Sequence, residues 1–186
     1  MCNQHKMRAS VFEIADLFGS RLATPLGFPE GAPNLEPRDE IKITDMGAIV
    51  RPGSETGPET GPGLELVQRR WSWPGPTGAP VFNFRAEGRR FPLAARCAIP
   101  TNGFYEFTAN ADAKIKRKDR WLFTMPGEPL FFIAGILRAD AWSMLTVDPG
   151  PDIAPFHNRQ VVVLRPEDAG AWLRGGPEAA LLRPSP

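Results

Sequence analysis

Proline and glycine punctuate this chain so densely that no apolar stretch can grow into a long helix: 21 prolines and 18 glycines are spread over 186 residues. Proline removes a backbone donor and glycine raises the entropic cost of ordering, so both end regular elements and both suit turns. What lies between them are apolar runs of strand length, and the chain reads as short strands joined by long connections. With 42% of its residues hydrophobic it can still bury one core, so a single domain over residues 1–186 is expected.

A first helix is expected over Val11 to Phe18, where Val11, Ile14, Ala15 and Phe18 share a helical face and Ser10 is placed to cap it. Gly27 to Arg38 and Pro52 to Gly63 read as surface loops, rich in turn formers and poor in periodic apolar positions. Strands are expected at Met46–Val50, Leu64–Trp73, Arg96–Pro100, Phe104–Phe107, Trp121–Met125, Leu130–Leu137, Trp142–Val147 and Val161–Leu164. The connections at Pro126-Gly127 and Arg138 to Ala141 suggest hairpins. Pro166, Glu167 and Asp168 open a short helix that runs to Leu173, since a fixed φ and negative charge both favour a helix start. The expectation is an α+β domain, mainly an antiparallel β-sheet curled toward a barrel, with a few short peripheral helices.

A formal net charge of +1 argues against a polycation that coats nucleic acid, yet leaves room for a local basic groove. Nothing resembles an export signal, because Glu13 and Asp16 interrupt the first apolar run, and no segment has the length of a membrane span. A soluble, cytoplasmic protein with both thiols, Cys2 and Cys97, reduced is expected.

Cys2 stands directly behind Met1. Loss of Met1 would leave a residue carrying both a free α-amine and a thiol, a pair that can trap an aldehyde: the amine forms a Schiff base and the thiol closes a thiazolidine ring. With a pKa near 7.8 an α-amine is roughly 14% uncharged at neutral pH, against about 0.04% for a lysine. Only two histidines are present, and His157 lies in a polar interruption just before the apolar strand at Val161, where a sheet delivers side chains to its rim. Glu106 is enclosed by aromatics in Gly103-Phe104-Tyr105-Glu106-Phe107; inside a pocket its pKa would rise, whereas on an outward face it is merely solvated. Asn83, Arg85 and Glu87 alternate onto one side of an extended stretch, either to orient a ligand or as a salt-bridged surface. Arg69, Arg70, Arg89, Arg90 and Arg96 with Trp71 and Trp73 supply phosphate-holding and base-stacking groups, while Lys114 to Arg120 is a basic run of the kind found at a solvated hairpin tip. Cys2, His5, Cys97 and His157 make no CxxC or HxxxH pair, so neither a metal nor another cofactor is expected.

Taken in order, these motifs resemble the SOS response-associated peptidase family of abasic-site processing proteins. The resemblance runs through Met1-Cys2, Arg70-Trp71, Asn83-Phe84-Arg85-Ala86-Glu87, Arg96 to Pro100, Gly103 to Glu106, Ala134 to Leu137, Leu145-Thr146, His157-Asn158-Arg159 and Trp172-Leu173. It implies a groove for single-stranded DNA carrying an abasic site, with Cys2 forming the covalent adduct after Met1 is removed. It further implies Glu106 as general acid/base, His157 as a second proton donor and Asn83 as a hydrogen-bonding anchor. Arg70, Arg85 and Arg159 would contact DNA, and Trp71 would stack near the lesion. A monomer, associated with the nucleoid when bound to DNA, follows from the same resemblance, as does a possible strand-cleaving lyase step. The chain departs from the family where Asn3 and Gln4 replace Gly-Arg, where Phe107 replaces Trp, and where Asn158, Gln160 and Val161 follow His157. Two other readings stay open: a non-covalent single-strand binding module, and a peptidase with an N-terminal nucleophile acting on other proteins.

Overall fold

A computed structural model describes residues 2–57 and 61–184. The chain begins with β1 (Gln4–Met7), then α1 (Val11–Asp16), which a π-helical turn extends over Leu17–Arg21. Ser10 and Glu13 form a reciprocal capping box at the start of α1, and Ile14 and Phe18 are the residues this segment buries. Next come β2 (Leu26–Gly27), β3 (Arg38–Lys42), β4 (Met46–Gly57), β5 (Gly61–Trp71), β6 (Trp73–Pro74), β7 (Pro80–Val81) and β8 (Asn83–Arg85). After a 3-10 turn at Leu93–Ala95 follow β9 (Arg96–Thr101), β10 (Gly103–Thr108), β11 (Asp119–Phe123), β12 (Phe131–Arg138) and β13 (Ala141–Val147). The chain then forms β14 (Gln160–Val161), β15 (Val163–Leu164), α2 (Pro166–Leu173) and α3 (Glu178–Leu181).

The larger sheet runs β14-β13-β12-β9-β4-β5-β2. Its curl is complete enough that β13 also pairs in parallel with β5, Ala141 opposite Arg70 and Trp142 opposite Trp71, closing a ring through β12, β9 and β4. With β8, β14 and β15 attached outside that ring, the result is a curled sheet and not a clean barrel. The smaller sheet, β11-β10-β1-β3, is antiparallel and lies against it. Trp71 and Trp142 stack 5.1 Å apart and nearly parallel, and His5 of β1 packs edge-on against both, at 5.5 and 6.1 Å. One continuous apolar core joins the two sheets. No described helix is long and apolar enough to cross a membrane.

Both expected helices form, α2 over the residues anticipated for it, with Pro166 in its first turn and Trp172 and Leu173 buried. Two expectations need correction. Residues 52–63 are not an open loop: backbone pairing continues through Thr56 with Pro62 and Gly57 with Gly61, although residues 58–60 lie outside the described part. At Asn102 the chain crosses between sheets, because β9 belongs to the larger sheet and β10 to the smaller. Pro126-Gly127 likewise links β11 to β12 across sheets, whereas Arg138 to Ala141 does close the β12–β13 hairpin.

Two stability measurements follow. At Gly135, an added Cβ would lie 2.5 Å from Ile99 Cδ1 and 3.0 Å from both Cys97 Sγ and the Ser143 carbonyl, so Gly135→Ala should cost about 1–3 kcal/mol in chemical denaturation. Burial drives the His5 pKa down to about 3, with Arg38 adding to the effect. The unfolded chain therefore takes up a proton near pH 6.5 that the folded chain refuses, and stability falls as pH drops below that value. Wild type should lose about 1.4 kcal/mol per pH unit relative to His5→Gln between roughly pH 6 and 4, measured as the difference of their unfolding free energies.

Candidate active site

β1 lies in the interior of the smaller sheet, paired with β10 through Gln4–Tyr105 and His5–Phe104 and with β3 through Gln4–Lys42 and His5–Ile41. This anchors Cys2, which is 1% exposed, beneath the strands that carry the other candidates. Asn83 at the start of β8 donates from Nδ2 to the Cys2 carbonyl at 2.7 Å. The Glu106 carboxylate lies close enough to raise the pKa of the Cys2 thiol. Glu106 is 1% exposed on β10, and burial raises its pKa while the Cys2 backbone pulls the other way.

The Cys2 thiol donates to the Gln4 carbonyl at 3.2 Å. Burial first and the Glu106 charge second push its pKa up to about 12, while the backbone of Gln4 and of Tyr105 pulls the other way. His157 leaves a turn that begins at Gly150 and accepts the Arg159 backbone N–H at Nδ1, 3.0 Å away. In the neutral ring this assigns the proton to Nε2. Burial lowers the His157 pKa, with Lys118 adding to the effect.

The expected DNA contacts divide. Arg85 and Arg70 are exposed, but Arg70 lines a groove of about 1000 Å³ with Gln68, Trp73 and Arg138 that includes none of Cys2, Asn83, Glu106 or His157. Trp71 is corrected outright: it is fully buried, its ring stacked on Trp142 and its Nε1 bonded to the Phe82 carbonyl, so no base can reach it. Arg159 is corrected too. It is 5% exposed, grips both oxygens of Glu87 at 2.5 and 2.7 Å, and bonds Asp148 and the Thr146 carbonyl at 2.6 and 2.8 Å. Its two terminal nitrogens are engaged inside the protein, and in return they hold Glu87 down to about 2. Arg159 therefore braces the segment carrying His157. Gln160 does the same from the next position, accepting the Gly150 N–H at 2.7 Å, which gives this departure from the family pattern a structural role.

Two residues escaped the sequence reading. His5 joins β1 to the core, and its only sequence signal is alternation with Met7 over a strand too short to stand out. Trp121 is 44% exposed on β11, directly across from Glu106. Among the described residues no cluster of His, Cys, Asp or Glu could hold a metal ion.

Comparison with known proteins shows what the chain is similar to. The family model described as SOS response associated peptidase (SRAP) matches residues 1–185. The chain is 25% identical over 197 positions to "Abasic site processing protein YoaM" of Bacillus subtilis (strain 168), covering 93% of this chain and 79% of that protein. Among solved structures, a protein from Bacteroides thetaiotaomicron aligns over all of this chain and 88% of its own, with TM-score 0.68 and 17% identity. One from Bordetella bronchiseptica aligns over all of this chain and 95% of its own, with TM-score 0.67 and 19% identity, and at such identities the likeness shows the fold.

The burial of both thiols is directly measurable. Cys2 and Cys97 are 1% and 0% exposed, and burial raises both pKa values, Cys97 the further. With Met1 in place, iodoacetamide in mildly alkaline buffer should leave both unmodified in the native protein and label both in denaturant, read by intact mass.

Proposed function

The chain belongs to the SOS response associated peptidase (SRAP) family, and on that premise we propose that it processes abasic sites in single-stranded DNA by forming a covalent thiazolidine crosslink through Cys2. The observation that carries this reading is the convergence on Cys2 of Asn83, which donates to its carbonyl oxygen, and of the buried Glu106 carboxylate, which acts on its thiol, from strands that meet only in the folded protein. The Cys2 nitrogen becomes the reacting amine once the Met1–Cys2 bond is hydrolysed.

In the proposed reaction Glu106 takes the anomeric hydroxyl proton while His157 Nε2–H gives one to the ring oxygen as the abasic sugar opens to the aldehyde, and the proton then passes from Glu106 back to His157 through water. The Cys2 amine adds to the carbonyl carbon, and Glu106 carries the two protons the nitrogen sheds, one after the other, to the oxygen, which leaves as water as the Schiff base forms. The thiol then adds across the C=N bond, its sulfur to carbon and its proton, by way of Glu106, to nitrogen. A buried carboxylate with a raised pKa suits this repeated exchange, because its acid and base forms lie closer in energy near neutrality. A thiol kept protonated by burial is spared from oxidation until the imine is present. Asn83 keeps Cys2 in register throughout, an orientational contribution.

Processed protein mixed with single-stranded DNA containing one abasic site should give a heat-stable shifted band on a denaturing gel, absent with intact DNA and with Cys2→Ala. Glu106→Gln should slow its formation about 10²–10⁴-fold. The wild-type rate should rise with pH through a value above the ordinary carboxylate pKa, since Glu106 must be ionised to accept a proton. No band, with Met1 shown by mass spectrometry to be absent, would overturn the covalent reading and leave non-covalent binding.

A further inference from the structure

Of the five tryptophans, Trp71, Trp142 and Trp172 are fully buried and Trp73 is 7% exposed, whereas Trp121 is 44% exposed. Trp121 is thus the tryptophan whose ring the fold leaves most open to solvent. Trp121 sits on β11, the edge strand of the smaller sheet, in direct register with Glu106. Directly opposed residues in an antiparallel pair share a face, with their Cβ atoms about 5 Å apart. The indole is held from a second side as well: Phe156, the residue before His157, packs against it at 4.9 Å. Its Nε1 donates to Thr108 Oγ1 at 2.9 Å, which fixes the ring's rotation. Behind it Phe156 meets Phe123 at 5.2 Å, and Phe123 stacks on Phe104 at 5.4 Å, an aromatic chain reaching into the core. The ring is therefore a rigid, open surface bracketed by the strand of Glu106 and the turn of His157.

We propose that Trp121 is the platform on which the nucleobase beside the abasic sugar stacks, an inference that rests on single-stranded DNA entering the site around Cys2. Every base presents a π-face, so such a platform accepts any neighbouring sequence, as a lesion occurring anywhere in a genome requires. Because the indole is already immobilised by Thr108 and Phe156, stacking costs little side-chain entropy. The charges nearby suit a phosphate backbone: Lys114, Lys116, Arg117 and Lys118 lead into β11 and are exposed. Arg120 is excluded from that role, being paired with Glu40 and lying over the Tyr105 ring on the opposite face. Trp121 thus takes the stacking role that the sequence assigned to Trp71.

The test uses a non-reactive tetrahydrofuran abasic analogue, so that binding is read without crosslinking. Two labelled oligonucleotides are compared by fluorescence anisotropy, one with bases flanking the analogue and one with base-less spacers. Trp121→Ala should weaken binding of the base-flanked oligonucleotide by about 5- to 150-fold and leave the spacer-flanked one unchanged, while Trp121→Phe keeps most of the affinity. Equal affinity to wild type on both oligonucleotides, or an equal loss on both, would overturn the proposal. A parallel denaturing gel with a natural abasic site judges the Cys2 reading separately: a wild type that makes no crosslink overturns that reading, whereas the ratio between the two oligonucleotides judges Trp121.

Discussion

Everything at this site depends on the pairing of β1 with a strand on each side. Terminal segments usually fray, because few contacts offset the entropy of ordering them. Here Gln4 and His5 are paired on both edges, with β10 and with β3, and the Thr101 hydroxyl adds a bond to the Lys6 carbonyl at 2.8 Å. His5 then anchors the strand by packing against the Trp71–Trp142 stack at the junction of the two sheets. Remove that ladder and Cys2 is a floppy terminus; keep it and Cys2 is held between Asn83 and the Glu106 carboxylate.

The polar groups held there come at a cost that folding alone does not recover. Glu106 and His5 are both 1% exposed, and burial pushes one pKa up and the other down, each toward the neutral form. A sequence selected only for stability would place apolar side chains at such positions. Around this centre the structure spends strong interactions on support. Arg159 makes its charge-assisted bonds to Glu87 and Asp148, and Gln160 ties Gly150, so the turn bearing His157 is clamped from both ends. An arginine used that way is buried with both terminal nitrogens engaged, which is why a motif position that reads as a DNA contact turns out to be a brace.

How much was legible depends on the range of the interactions involved. α1 and α2 were readable because their signals are local: a Ser10–Glu13 capping box three residues apart, and Pro166 ahead of two acids. The long apolar strands β12 and β13 were readable for the same reason, along with the hairpin between them. β1 and β3 escaped notice because neither Gln4–Met7 nor Arg38–Lys42 has an apolar run, and each is a strand only because a partner supplies its ladder. The stretch at 52–57 lacks β-propensity yet extends β4, since its hairpin partner was invisible in composition.

The sequence by itself determined which chemistry is available: a thiol next to the first residue, a carboxylate among aromatics, a histidine before a strand, and motifs in an order that marks the family. The tertiary structure alone decided which of those groups meet. Asn83 and Cys2 are 81 residues apart, and only the attachment of β8 to the ring and of β1 to the smaller sheet brings amide to carbonyl. It also decided which aromatic faces solvent, burying Trp71 in a stack and leaving Trp121 at an open edge. Side-chain type is a property of one position, whereas burial and proximity come from pairings between strands distant in sequence, which no local pattern encodes.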